Sequence, residues 1–137
     1  MLVVDASATV AMLLEETEQV ASQDTFDILT ENELIVPSHW PAEVGNALLV
    51  NIRRGRLSSD RLPAIIERLN IFRFQVQRPP RPDEIVDRLL GALTNGLTYY
   101  DALYVQLAVE QRAILFSLDR QMRQVAEASG IKVLPDM

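Results

Sequence analysis

The chain has 137 residues and a mass of 15.4 kDa, which suits one domain, 1–137, built around a single hydrophobic core. Its composition, 48% hydrophobic and 23% charged, excludes wholesale disorder, and the absence of cysteine excludes disulfides, thiolate metal sites and a cysteine nucleophile. The net charge of −6 argues against a general polyanion binder, and no apolar stretch reaches the roughly 18 residues of a membrane span, so we expect a soluble, cytoplasmic protein without a membrane partner.

Short apolar strands alternate with helices along the chain. The pattern predicts, in chain order, a strand at 2–4, a helix capped by Ser7, a helix at 16–33, a strand at 34–36, helices at 42–54 and 59–69, a strand at 71–76, helices at 83–93 and 98–112, a strand at 114–116, a helix at 119–128 and a strand at 132–134. Such bare apolar strands bury both of their sides, which is typical of a parallel sheet covered by helices. We therefore expect an α/β fold with a parallel central sheet of about four to five strands flanked by helices.

Two acidic residues follow predicted strands. Asp5 comes directly after the first strand, and Asp119 follows the apolar run at 113–118. Ligands of open α/β sheets collect at the carboxyl ends of the strands, so both positions are candidates for a site. Either residue alone is also typical of a helix cap or of a first-turn acid that the helix dipole favours.

Two further acids lie on predicted helices beside apolar stripes. Glu43 lies in the first turn of the helix that Pro41 opens, with Asn46 one turn further on. Asp101 shares an inward-facing stripe with Tyr104. A buried carboxylate needs a cation, several donors or a proton, and for Asp101 an ion pair with Arg112 or a backbone cap is the structural alternative.

These four acids could converge on one edge of the sheet. Carboxylates within a few ångströms of one another repel strongly unless a cation lies between them. Oxygen ligands, with no cysteine and a single histidine in the chain, select Mg²⁺ or Mn²⁺ over zinc. The substrate of such a metal would be a phosphate.

Four separated segments carry a resemblance to a known family. The segments VVDASA (3–8), PAEVGNAL (41–48), LTYYDALY (97–104) and LFSLDR (115–120) resemble, in order and spacing, the motifs of a PIN domain of the VapC toxin type. The resemblance implies a three-layer α/β/α fold and a metal-dependent endoribonuclease that acts as the toxin of a toxin–antitoxin pair. It also implies Mg²⁺ or Mn²⁺ as cofactor, RNA as substrate, a VapB-type antitoxin as partner, and a homodimer.

The resemblance assigns roles to particular residues. It implies that the catalytic and metal-binding quartet is Asp5, Glu43, Asp101 and Asp119. It also implies that Ser7, Asn46 and Ser117 orient these carboxylates without binding the metal themselves. Ser117 keeps the hydroxyl of the family's threonine. The sequence Ser38-His39-Trp40, which precedes Glu43, departs from the family pattern.

Arginine and aromatic residues admit two interpretations. Between positions 53 and 88, nine arginines accompany five acids, which gives this segment a charge of +4 and the remainder −10. Arg53, Arg54 and Arg56 are candidate RNA contacts or, equally, part of a solvated helix end. We expect His39 to be a packed loop residue. The rings Trp40, Tyr99 and Tyr100 could stack on bases, but packing into the core is favoured.

Two alternatives to the nuclease remain open at this stage. A phosphoacceptor receiver domain also places acids at strand ends, but it normally has a lysine at a late strand end, and Lys132 is the only lysine here. A PIN scaffold without catalysis could instead serve as a protein- or RNA-binding module.

Overall fold

A computed structural model describes residues 1–15 and 21–137. The strands are β1 (Leu2–Val4), β2 (Leu34–Val36), β3 (Phe74–Val76), β4 (Ile114–Phe116) and β5 (Val133–Leu134). The helices within the described residues are α1 (Ala6–Leu13), α2 (Gln23–Glu31), α3 (Trp40–Arg53), α4 (Leu62–Ile71), α5 (Pro82–Asn95), α6 (Tyr99–Gln111) and α7 (Arg120–Ala128), with a 3₁₀ turn at Ser59–Arg61.

All five strands form one parallel sheet in the order β3-β2-β1-β4-β5. At its centre, Val3 of β1 pairs with Ile35 of β2 and with Leu115 of β4. The predicted parallel α/β sheet is therefore confirmed. The order excludes the receiver alternative, whose strands run 2-1-3-4-5. Lys132 directly precedes β5, so it lies at the amino end of that strand and not at a carboxyl end.

The hydrophobic core lies on both faces of the three central strands. Leu2, Val3, Leu34 and Leu115 have no exposed surface, which explains why these strands are apolar without alternation. The edge strand β3 is more exposed, and the polar Gln75 lies within it. The helices of the described ranges include none with the length and hydropathy of a transmembrane span.

Several predicted boundaries shift. Asp5, not Ser7, caps α1, because its carboxylate accepts the amide of Ala8 while Ser7 lies exposed within the helix. The strand predicted from 71 begins at Phe74 instead, since α4 continues through Ile71. Of the helix predicted at 16–33, the structure gives α2, and residues 16–20 lie outside the described part of the chain.

The carboxyl edge of the sheet gathers several helix beginnings. Asp5 and Asp119 follow the ends of β1 and β4, and α3 begins shortly after β2. Helix α6 leads through a short connection into β4, so it runs antiparallel to that strand and also begins at the carboxyl edge. The topology thus brings the starts of α1, α3, α6 and α7 to one side of the sheet.

Candidate functional site

Asp5 is a buried carboxylate at the end of β1, with 2% of its surface exposed. Its Oδ1 accepts a hydrogen bond of 2.7 Å from the amide of Ala8, and its Oδ2 accepts one from the hydroxyl of Ser117. The pKa of Asp5 is raised from 3.8 to about 6, chiefly by burial; the hydrogen bonds from Ser117 and Ala8 oppose the rise, and the charges of Asp119 and Asp101 add to it. A buried acid with a perturbed pKa is typical of a functional site.

Ser117 joins the acids of the two central strands. Its hydroxyl donates to Asp5 and accepts from the amide of Asp119 at 3.0 Å. Asp119 in turn caps α7, where its Oδ1 accepts the amide of Met122 at 2.8 Å. Arg123 fixes this loop from below, since its guanidinium donates to the carbonyl of Ser117 at 2.7 Å. The orientation of Asp5 is thus tied to the backbone position of Asp119.

Asp101 lies half-buried in the first turn of α6. Burial raises its pKa, the charge of Asp119 adds to the rise, and Glu43 contributes further, while Thr98 opposes it. Arg112 follows the far end of α6, about 16 Å away along the helix axis. Within the described residues no ion pair joins Asp101 and Arg112, so that structural alternative is not found.

Glu43 is held by two neighbours on one carboxylate oxygen. The hydroxyl of Tyr104 donates to Oε1 at 2.8 Å, and Nε2 of His39 lies 3.1 Å from the same oxygen. The His39 ring is not oriented for a well-directed hydrogen bond, and neither of its buried nitrogens has such a partner among the described residues. Contact with His39 and, after it, the Tyr104 hydroxyl lower the pKa of Glu43, whereas burial acts in the opposite direction.

The four acids share one electrostatic environment at the carboxyl edge. The charges of Asp101 and Asp119 raise the pKa of Asp5, and those of Asp119 and Glu43 raise that of Asp101. Their carboxylate oxygens are the donors that a hard divalent cation prefers. As the side chains stand, however, no three acidic or histidine residues in the described ranges are spaced to hold a metal ion. A cation would therefore have to draw the carboxylates closer together.

The predicted supporting residues differ in their contacts. Ser117 is fully buried and its hydroxyl donates to Asp5, while its supporting role at a metal site stays a prediction. Ser7 and Asn46 are exposed, and among the described residues no hydrogen bond links either side chain to the four acids. Their supporting roles stay predictions.

The arginine segment divides into paired and unpaired members. Arg68, Arg78 and Arg88 form ion pairs with glutamates, which fits a solvated face. Arg53, Arg54 and Arg56 are exposed at the far end of α3 and form no ion pair within the described part of the chain. The helix rise places Arg53 about 15 Å from Glu43 along the axis.

The aromatic residues also divide. Trp40 is buried, with its indole nitrogen donating to Thr9 at 3.1 Å and its ring centroid 4.4 Å from that of Phe74. His39 is packed as expected, but its contact with Glu43 was not anticipated. Tyr100 is 59% exposed, so the packing expectation is wrong for this ring, because it projects from the first turn of α6. The sequence indicates Tyr104 only as part of an apolar stripe. Its shared face with Asp101 was the available signal for a role at the site.

Comparisons with known proteins agree on one family. The PIN domain model matches residues 2–128. The chain is 34% identical over 128 residues to Ribonuclease VapC3 of Pyrobaculum aerophilum, which covers 90% of this chain and 92% of that protein. Its fold is similar to the crystal structure of PAE2754 from Pyrobaculum aerophilum, with a TM-score of 0.70, 24% identity and coverage of 96% of this chain and 87% of that one.

Proposed function

Because the chain belongs to the PIN-domain family and is similar over nearly its whole length to a VapC ribonuclease, we propose that it is a metal-dependent endoribonuclease. Its biological role would be that of the toxin in a VapB–VapC-type pair. One observation in the chain itself carries the proposal: burial together with the neighbouring charge of Asp119 raises the pKa values of both Asp5 and Asp101 at the carboxyl edge of the sheet.

The acidic quartet would hold one or two Mg²⁺ or Mn²⁺ ions, with Asp5 and Asp101 as direct ligands. When bound, such an ion lowers the pKa of a water molecule and stabilises the departing 3′ oxygen of a phosphodiester. Glu43 and Asp119 would bind through water or orient the attacking water. The products would carry 5′-phosphate and 3′-hydroxyl ends.

The chain's own hydrogen bonds preorganise these carboxylates. Ser117 and the amide of Ala8 fix both oxygens of Asp5, and Tyr104 fixes Oε1 of Glu43. Ser117 is a donor behind an acidic ligand, and such donors set the orientation of a carboxylate and its basicity. The remaining lone pairs of the four acids are the ones that would face a cation.

An apolar face supports the proposed homodimer. Helix α5 exposes several large side chains, among them Val86 at 61% and Leu93 at 74%. Contiguous exposed apolar surface of this kind is typical of a protein interface. In this proposal a second copy of the chain covers α5, and RNA and the tail of a VapB-type antitoxin bind at the carboxyl edge of the sheet.

A second candidate function is a catalytically silent PIN module that binds protein or RNA. The observation in its favour is that, among the described residues, no three of the acids are spaced to hold one metal ion. Retention of all four acids, together with the raised pKa values of Asp5 and Asp101, favours the nuclease, because a site without catalysis has no reason to keep repelling carboxylates close together.

Incubation of the purified chain with structured RNA separates the two candidates. The nuclease gives products with Mg²⁺ or Mn²⁺, none with EDTA, and none with folded Asp101→Asn. The matched control is Asp83→Asn, an exposed acid of α5 outside the cluster, which should cleave like the parent. Binding without metal-dependent products would support the silent module, and cleavage by Asp101→Asn would overturn the assignment of that residue.

A further inference from the structure

Tyr100 is an exposed aromatic ring at the rim of the acidic site. It directly precedes Asp101, and 59% of its surface is open to solvent. Its ring centroid lies 5.2 Å from that of His39, with the planes tilted by 44°. His39 in turn contacts Glu43. The exposed ring is therefore next to Asp101 in sequence, and only the His39 side chain lies between it and Glu43.

We propose that Tyr100 is a stacking platform for a nucleobase of single-stranded RNA, placed beside the phosphodiester that the acidic site would cleave. The proposal rests on the proposed ribonuclease function and deepens it by naming how the substrate is held. Its ligand is an unpaired base in a loop or tail, since only an unstacked base can lie on a protein ring.

The ring is held in place before any ligand arrives. Tyr100 packs at a tilt on His39 and edge-on to Tyr99, whose centroid lies 6.4 Å away at an angle of 76°. A tyrosine has only two side-chain torsions, so its ordering costs little entropy. His39 lies, largely covered, between Tyr100 and Tyr104, whose ring centroid is 5.0 Å from the imidazole. The platform is thus rigid and supported from beneath.

The charge of the site explains why an uncharged contact is needed. Four carboxylates at the carboxyl edge repel the phosphates of RNA. Arg53 of the unpaired arginine cluster lies about 15 Å from Glu43 along α3. Stacking attracts every base through its π face without adding charge, and it tolerates any sequence. Tyr100 therefore supplies affinity that does not depend on charge, beside carboxylates that repel the RNA backbone.

The neighbouring tyrosine distinguishes RNA from a protein partner. Tyr99 lines a groove with Leu89 and Leu93 of the apolar α5 face, where we propose the second copy of the chain. Tyr100 instead contacts His39 on the acidic side. The two adjacent rings thus face different surfaces, and the surroundings of Tyr100 are polar and ionised, which fits a nucleotide better than an apolar protein segment.

The test measures the binding of short single-stranded RNA in EDTA at low salt, where no cleavage occurs. We expect Tyr100→Ala to weaken binding by about 5- to 100-fold, and Tyr100→Phe to stay within about twofold, because the ring and not the hydroxyl stacks. The same loss factor should appear at every salt concentration, since no charge changes. Tyr99→Phe is the matched control and should bind like the parent.

Abasic RNA identifies the contact. Removal of one base at the stacked position should weaken binding to the parent, and Tyr100→Ala should then cause no further loss with that RNA. If Tyr100→Ala weakens binding by its full additional factor whichever base of the RNA is removed, the proposal is overturned. So would an unchanged RNA affinity of Tyr100→Ala, including the case in which that variant instead loses the dimer in sedimentation, which would assign the ring to a protein contact.

Metal-dependent cleavage by the parent is measured in parallel. Cleavage together with an unchanged affinity of Tyr100→Ala overturns the stacking platform and leaves the nuclease intact. The full affinity loss without any cleavage overturns the nuclease and leaves an RNA-binding module that uses the same ring.

Discussion

The hydroxyl of Tyr104 donates a 2.8 Å hydrogen bond to Oε1 of Glu43, a residue 61 positions earlier in the chain. The bond joins the first turn of α3 to the inward face of α6, the helix that also carries Asp101. The other oxygen of Glu43 accepts no hydrogen bond from the described residues. Tyr104 therefore fixes the direction in which Glu43 presents its free oxygen to the site.

Removal of this hydroxyl should slow catalysis without unfolding the protein. We expect Tyr104→Phe to lower kcat by about tenfold with KM for RNA unchanged, because a hydrogen bond to a charged group contributes about 1.5–3 kcal/mol. Steady-state cleavage of RNA measures both constants. Tyr99→Phe removes a hydroxyl from the same helix away from the acids and should leave kcat unchanged. An unaltered kcat in Tyr104→Phe would show that Glu43 needs no such support.

The raised pKa of Asp5 makes a prediction about stability and pH. In the unfolded chain Asp5 ionises near 3.8, whereas in the folded protein it ionises near 6, so the folded state binds the proton more tightly. The free energy of unfolding therefore falls as pH rises through this window. The total decrease, reached above pH 6, is about 3 kcal/mol. Asp5→Asn removes the titration but also weakens the bond with Ser117.

We expect Asp5→Asn to be more stable than the parent by about 1–3 kcal/mol at pH 7.5, with the gain shrinking towards zero near pH 4. Urea unfolding at both pH values measures it. A variant that is equally destabilised at both pH values would mean that burial of the Asp5 charge carries no cost.

The apolar pattern of the sequence predicts the sheet because the three central strands bury both of their faces and so contain no polar residues. Leu2, Leu34 and Leu115 have no exposed surface. The pattern predicts the edge strand three residues too early, because Ile71 and Phe72 are apolar like strand residues, whereas Ile71 ends α4 and Phe72 caps it. Local pattern does not reveal which apolar residue follows the last helical hydrogen bond.

The sequence singles out the acids of the site and Ser117, but it does not predict that Tyr104 bonds to Glu43. Asp5 and Asp119 follow strands, and Asp101 interrupts an apolar stripe, so each stands out locally. The bonds of Ser117 to Asp5 and of Tyr104 to Glu43 join residues 112 and 61 positions apart. Such pairs depend on strand order and helix packing, which no local pattern encodes.

The unpaired arginine cluster at the end of α3 should act through charge alone. Replacement of Arg53, Arg54 and Arg56 by Gln should flatten the dependence of log affinity on log salt by about one unit for each arginine that contacts a phosphate. Binding of RNA at four salt concentrations measures the slope. Arg78→Gln, which removes a residue already paired with Glu84, is the control. An unchanged slope would assign the cluster to the solvated helix end.

The exposed face of α5 should mediate the dimer. Leu93→Glu places a charge on a side chain that is 74% exposed, so it should leave the fold intact and shift the protein to a monomer in sedimentation. Ile66→Glu on α4, at 45% exposure, is the control and should not change the mass. A parent that is monomeric, or a dimer that survives Leu93→Glu, would rule out this surface.

The central claim is that four carboxylates separated in sequence hold one cation site. Calorimetric titration of the RNA-free protein with Mn²⁺ tests it most directly. We expect saturable binding by the parent, at least tenfold weaker binding by Asp5→Asn and by Asp101→Asn, and parent-like binding by Asp83→Asn. Absence of binding by the parent, or undiminished binding by folded Asp101→Asn, would contradict the account.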